Sequence, residues 1–110
     1  MEPHSLRLVT VITEAVIEKE IIQELTALGV SGYTITDVRG KGHRGVRTTG
    51  WEHGANIRVE IVCQDALARA IAEHLRERYY DNYAMILYIS DVEVLRPEKF
   101  EGGAKEPSQR

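Results

Sequence analysis

Four cations, Arg39, Lys41, Arg44 and Arg47, fall within one short stretch, with His43 among them and no carboxylate before Glu52. Gly40, Gly42, Gly45 and Gly50 are interleaved with them. The 110-residue chain is net −3, so these four charges leave −7 for the rest. A cationic island on an acidic protein points to a local anion site rather than a general nucleic-acid surface. Glycine lets backbone N–H groups come close to an anion and form a nest around it. Arg44 and Arg47 add planar forks that match phosphate or carboxylate oxygens, a geometry lysine cannot copy. Three residues apart in a turning loop, they reach two phosphates of one nucleotide. The competing reading is a solvated basic loop with no ligand.

Other chemistries fit the residues less well. Gly40-Lys41-Gly42-His43-Arg44-Gly45 matches G-x-G-x-x-G, but a dinucleotide fingerprint needs a helix directly after its glycines. Val46-Arg47-Thr48-Thr49-Gly50 follows instead, β-branched and broken by glycine. A Walker A loop fails too, because no Lys-Ser or Lys-Thr pair closes the motif. His43 and His53, without cysteine or paired carboxylates nearby, make a poor zinc site, and no metal is expected. No Ser-His-Asp arrangement is readable, and Asp37 and Asp91 show no pairing by spacing. Nucleotide hydrolysis would need a base or metal ligands beside the phosphates. The start of the loop offers arginines and no carboxylate, so binding is expected rather than turnover, and no catalytic residue is assigned. Trp51 is either a partner anchor or a solvent-exposed aromatic.

The elements that must hold this stretch follow from periodicity. Leu6 to Thr13 is aliphatic and β-branched and predicts a strand. Ile17, Ile21, Leu25 and Leu28 then recur at helical spacing, with Thr13 as N-cap and Gly29 as the left-handed residue after the helix. Tyr33 to Val38 predicts a second strand. Ile57, Val59, Ile61 and Cys63 alternate with Arg58, Glu60 and Val62 in a third. Asp65 can cap a second helix striped by Leu67, Ile71 and Leu75, which Asp81 and Asn82 break. Ala84 to Leu95 is the fourth strand. The order β-α-β-β-α-β predicts an α+β, ferredoxin-like fold: a four-stranded antiparallel sheet with both helices on one face. Residues 1–96 form the domain, with 39–56 as its long loop and 97–110 as a polar tail that frays. Cys63 lies on the apolar side of its strand and reads as a core residue, and His74 beside the second helical stripe reads as packing.

Both faces of the sheet carry aliphatics. Leu6, Leu8 and Ile12 share one face of the first strand and Val9 and Val11 the other. Ile86 and Tyr88 oppose Met85, Leu87 and Ile89 in the fourth. Two helices cover one face only, so an identical subunit is expected on the other. The alternative is a fourth strand that bends and packs its extra residues locally. The single cysteine precludes an intramolecular disulfide and fits a reducing cytoplasm. The N-terminus lacks the pattern of a signal peptide, and no apolar run is long enough to span a bilayer. Composition, 43% hydrophobic and 28% charged, is that of an ordinary globular domain. An RNA-binding module on such a sheet would need aromatics on its central strands for stacking. Ile57 to Cys63 has none, so nucleic acid is not expected as a partner.

The run Gly32-Tyr33-Thr34-Ile35-Thr36-Asp37, the basic stretch Gly40 to Gly50, the turn Tyr79-Tyr80-Asp81-Asn82-Tyr83-Ala84 and the strand Ile89 to Leu95 resemble the PII-like signalling proteins. The resemblance is to the branch tied to bicarbonate uptake and carboxysomes, and it covers nearly the whole domain. It implies a non-enzymatic cytoplasmic trimer that senses ADP, AMP, ATP or cyclic AMP in clefts between subunits, and in that branch bicarbonate. The long loop would be the T-loop, ordered by ligand and directed at a membrane transporter or a carboxysome-related protein. Arg44 and Arg47 match arginines that hold nucleotide phosphates. Gly40, Lys41 and Gly42 match the base of that loop, Tyr88 and Ile89 match positions lining the adenine pocket, and His43 is expected among the nucleotide-binding residues. Two features of relatives are missing. The C-terminal pair of redox cysteines has no counterpart here, and residues 39–56 contain no tyrosine to be uridylylated.

Overall fold

The computed structural model describes residues 4–40, 55–96 and 98. The chain runs β1 (His4–Glu14), a 3-10 turn (Ala15–Ile17), α1 (Glu18–Leu28), β2 (Thr34–Val38), β3 (Asn56–Cys63), α2 (Asp65–Tyr79) and β4 (Met85–Val94). The strands form one sheet in the order β2-β3-β1-β4, and every neighbouring pair is antiparallel. This is the expected ferredoxin-like β-α-β-β-α-β fold.

Alternation decides the faces. In β3 every second residue, Ile57, Val59, Ile61 and Cys63, is buried. Their partners Val11 and Val9 in β1 are buried on the same side. Onto this face α1 lays Ile21 and Leu25, α2 lays Ala68, Ile71, Leu75 and Tyr79, and Ile17 joins from the 3-10 turn. Burying each of the Val, Ile and Leu side chains stabilises by roughly 1.5–3 kcal/mol. Helix α1 stops at Gly29, whose φ of 102° is left-handed. Gly29 N–H donates to Thr26 O and Val30 N–H to Leu25 O, the bond pair that closes a helix end around a residue without a Cβ.

Three local expectations are corrected. Thr13 does not cap α1. It is a buried strand residue, and a 3-10 turn separates it from the helix. Asp65 is the first residue of α2 rather than its cap; the cap position is Gln64. At that first turn the Asp65 carboxylate still faces the positive end of the helix dipole. His74 is more than packing, since its Nε2 lies 2.8 Å from Glu24 Oε1 on α1.

The second face is open. Leu6, Leu8, Thr10 and Ile12 of β1 lie on it, beside Ile86, Tyr88, Ser90 and Val92 of β4. Ile86 remains 55% and Tyr88 48% exposed. β4 does not bend away, because its register with β1 is unbroken from His4↔Val94 to Thr13↔Met85. The local-packing alternative therefore does not account for this face.

Candidate functional site

The antiparallel register collects the loops of interest at one end of the sheet. Val38, Asn56 and Glu14 form its last row across β2, β3 and β1. Thr13↔Met85 is the last rung between β1 and β4. Beyond this edge lie Arg39 and Gly40, where the chain leaves β2 for the basic stretch. Ala55, where it returns, and the α2–β4 turn lie there too. Both Arg39 and Gly40 are exposed, and a Cβ built on Gly40 would meet nothing within 4 Å. The backbone there is open to an approaching ligand.

Side chains and backbone tie this end together. Ala15 N–H donates to Ala55 O at 2.9 Å. Glu14 Oε2 accepts from Ala84 N–H at 2.7 Å, and Thr13 Oγ1 donates to Ala84 O at 2.7 Å. Within the turn, Asn82 and Tyr83 N–H both donate to Tyr79 O. The Tyr79 and Tyr83 rings meet edge to face at 5.8 Å.

Of the residues singled out from sequence, Lys41, Gly42, His43, Arg44 and Arg47 lie outside the described residues, as do His53, Trp51 and most of the tail. Gly40 stands at the sheet end. Tyr88 and Ile89, adjacent in β4, point to opposite faces: Tyr88 is exposed on the open face, and Ile89 packs against the core. The open-face row of Tyr88 continues through Thr10, Glu60 and Thr34 across the whole sheet.

Residues 6–99 match the family of the nitrogen regulatory protein P-II. The chain belongs to the P-II family. It is 42% identical to a PII-like signalling protein of Thermus thermophilus. That match covers 91% of this chain and 99% of the other at a TM-score of 0.77. It also shares its fold with CPII of Thiomonas intermedia K12. CPII bound to ADP, AMP and acetate is 24% identical, covering 91% of this chain and 98% of CPII at a TM-score of 0.79. CPII bound to ADP and bicarbonate matches with the same identity and coverage at a TM-score of 0.78.

In this P-II protein two polar clusters escaped sequence reasoning. Arg7 Nε donates to Asp65 Oδ1 at 2.9 Å, and its Nη1 pairs with Asp91. They line a cavity of about 610 Å³ with Glu93 at the opposite end of the sheet. Between the helices, Glu24 takes His74 on one oxygen, and Arg78 and the Tyr79 hydroxyl on the other, each at 2.8 Å. Arg7 is separated from its partners by 58 and 84 residues, and Glu24 from His74 by 50. No local spacing signals contacts so distant. Cys63 is a core residue as expected; burial and the Asp65 charge push its thiol up to about 11. Among the described residues no group of three or more His, Cys, Asp or Glu could hold a metal ion. Among them, too, no helix is long and apolar enough to cross a membrane.

Proposed function

We propose that this P-II protein is a non-enzymatic cytoplasmic regulator that binds adenine nucleotide at the loop end of its sheet and works as a homotrimer. The observation that carries the reading is convergence. Both ends of the basic stretch, Arg39-Gly40 and Ala55, meet the α2–β4 turn at one edge. An anion held by Arg44 and Arg47 would therefore sit beside a second, exposed loop. Gly40, Lys41, Gly42 and His43 would supply the nest around the phosphates. Tyr88 and Ile89 would contribute to the adenine pocket from β4, with Tyr88 reaching it across the open face, where a neighbouring subunit would stand.

The relatives support a ligand class. CPII binds ADP, AMP and bicarbonate, so this chain is assigned ADP, AMP or ATP as ligand, with bicarbonate as a second anion. Residues 39–56 would act as the T-loop, carrying the nucleotide state to a target such as a transporter or a carboxysome-related protein. Residues 1–96 would form the working domain and 97–110 a tail.

Calorimetry of the full chain against AMP, ADP, ATP and cyclic AMP, with and without bicarbonate, tests this. Saturable binding of at least one nucleotide is expected, with a change in affinity when bicarbonate is added. Absence of heat with all four would overturn it. Steady release of phosphate from ATP would favour the hydrolase alternative.

A further inference from the structure

The open face is polar on one side and apolar on the other. Two adjacent rows cross it: Thr36, Arg58, Ile12 and Ile86, and Thr34, Glu60, Thr10 and Tyr88. Arg58 and Glu60 are two residues apart on β3, so both side chains leave the same side of the sheet. They do not satisfy each other. Arg58 Nε is buried with no hydrogen-bond partner among the described residues. Glu60 Oε2 stands 4.0 Å from it, beyond hydrogen-bond reach. The rest of each side chain is open, at 40% and 39% exposed. A guanidinium carries five donors in a fixed fork, and burying a donor unmatched costs free energy. Among the described residues, the inner rows of this face hold one guanidinium and one carboxylate, these two. Glu14, in the end row, already accepts from Ala84 N–H.

We propose that Arg58 of one copy pairs with Glu60 of another across this face, and that the pair selects copies of this chain as the face's occupant. The proposal rests on the association of copies proposed above. The aliphatic half, with Leu8, Ile12 and Ile86, supplies area but no direction, because the hydrophobic effect is non-directional. The charges supply direction, since complementary charges fix register and reject wrong partners. A second copy brings a carboxylate and a guanidinium in equal number, so each charge that loses water gains a counter-charge. A carboxylate arriving from that copy can take the Arg58 fork with two parallel bonds, the geometry a guanidinium favours. An apolar partner would bury both charges at their present 4.0 Å separation and leave Nε unmatched. A nucleic acid would set phosphate against Glu60.

Light scattering and native mass spectrometry of the full chain test this. The parent should assemble at micromolar concentration. Arg58→Glu and Glu60→Arg each set like charges against each other, and each should raise the concentration of half-dissociation about tenfold or more. The double variant carrying both changes restores opposite charges at every contact. It should regain the parent's mass on its own, yet exclude isotope-labelled parent copies when the two are dissociated and reassembled together. Arg58→Gln adds no like charge; it should act in the same direction more weakly, and it stands in if a charge reversal does not fold. Single variants that assemble as tightly as the parent overturn the pairing and leave the assembly standing. A double variant that mixes with parent copies at the statistical ratio does the same, since a pair within one chain is indifferent to its neighbours. A double variant that stays dissociated also overturns the pairing. A monomeric parent overturns the pairing and the assembly together and gives the face to a different protein.

Discussion

Arg44 and Arg47 carry the sharpest expectation at the level of single residues. Replacing either with Ala should weaken ADP binding by about tenfold or more, because one charge-assisted bond is worth roughly 1.5–3 kcal/mol. Stability should move by no more than about half a kcal/mol, since both lie outside the periodic apolar pattern of the sequence. Arg→Lys should not restore full affinity, since the fork is lost, and adenosine, which has no phosphate, should be indifferent. Calorimetry that finds ADP bound as tightly by the Ala variants would remove the phosphate clamp. Two buried acids make a second expectation. Burial, then the Asp65 charge, push the Cys63 thiol from 9.0 up to about 11. Burial, then the bond to Glu24, push the Tyr79 phenol from 10.0 up to about 12. The fold holds both neutral, and the unfolded chain loses these protons first. Stability is therefore complete below pH 9 and falls as pH rises from 9 through about 12. Each group contributes roughly 3 kcal/mol to that decline once the pH has passed its folded value. Urea melts from pH 8 to 11 should show it, with the part between 9 and 11 reduced in Cys63→Ala. A flat profile in the parent would count against both assignments. The sequence displayed the arginines because charge and glycine cluster locally there. It concealed Glu14 and Thr13 as anchors because Ala84 lies 70 and 71 residues away, and an ordinary Thr-Glu pair ending a strand announces nothing.

Among the elements, the two helices are joined to each other by chemistry as well as by packing. Glu24 on α1 accepts from His74, Arg78 and Tyr79 on α2 while its own side chain is only 16% exposed. Removing it strands the Tyr79 hydroxyl, whose other carboxylate partner, Glu20 Oε1, is 3.4 Å away. Glu24→Ala should destabilise by about 1–3 kcal/mol, and Tyr79→Phe by less, since it removes one donor and leaves the carboxylate two. Urea denaturation that ranks them the other way would show that the ring's packing, not the carboxylate, joins the helices. The end of α1 gives a backbone counterpart. Gly29 sits at φ 102° with nothing within 4 Å of a built Cβ, so Gly29→Ala should cost only the left-handed penalty, about 1–2 kcal/mol. These elements were legible from sequence where period alone sets them. Strict alternation fixed β3, and the Ile17, Ile21, Leu25 stripe fixed which side of α1 is buried. The start of α1 was not legible. The β1 ladder continues through Thr13 and Glu14 because both still have partners in β3, Ile57 and Asn56. Tertiary pairing there overrides the capping preference of threonine.

For the molecule as a whole, the open face decides what state the chain works in. Ile86 and Tyr88 are about half exposed, and Leu8, Ile12 and Val92 lie half-buried around them. Contiguous apolar surface of this kind marks an interface more often than bare monomer surface. A polar observation agrees. Arg58 Nε on the same face is buried, has no hydrogen-bond partner among the described residues, and stands 4.0 Å from Glu60 Oε2. Such an atom costs free energy unless something completes it. A second copy laid on this face would cover the aliphatic stripe and bring polar groups to Arg58. A closed ring of copies or a two-fold pair would do so for every subunit. If the trimer proposed above is right, light scattering should report three times the chain mass at micromolar concentration. Ile86→Glu, placing a carboxylate in the middle of the stripe, should shift the protein toward smaller species. Its helix-side core should stay intact, because Ile86 lies outside the buried cluster. A parent that is monomeric would remove the trimer outright, whereas a parent of twice the chain mass would keep the covered face but replace the three-fold with a two-fold. If the Glu variant keeps the parent's mass, the contact lies elsewhere on the molecule, and Tyr88 is free to meet ligand without a neighbouring subunit beside it.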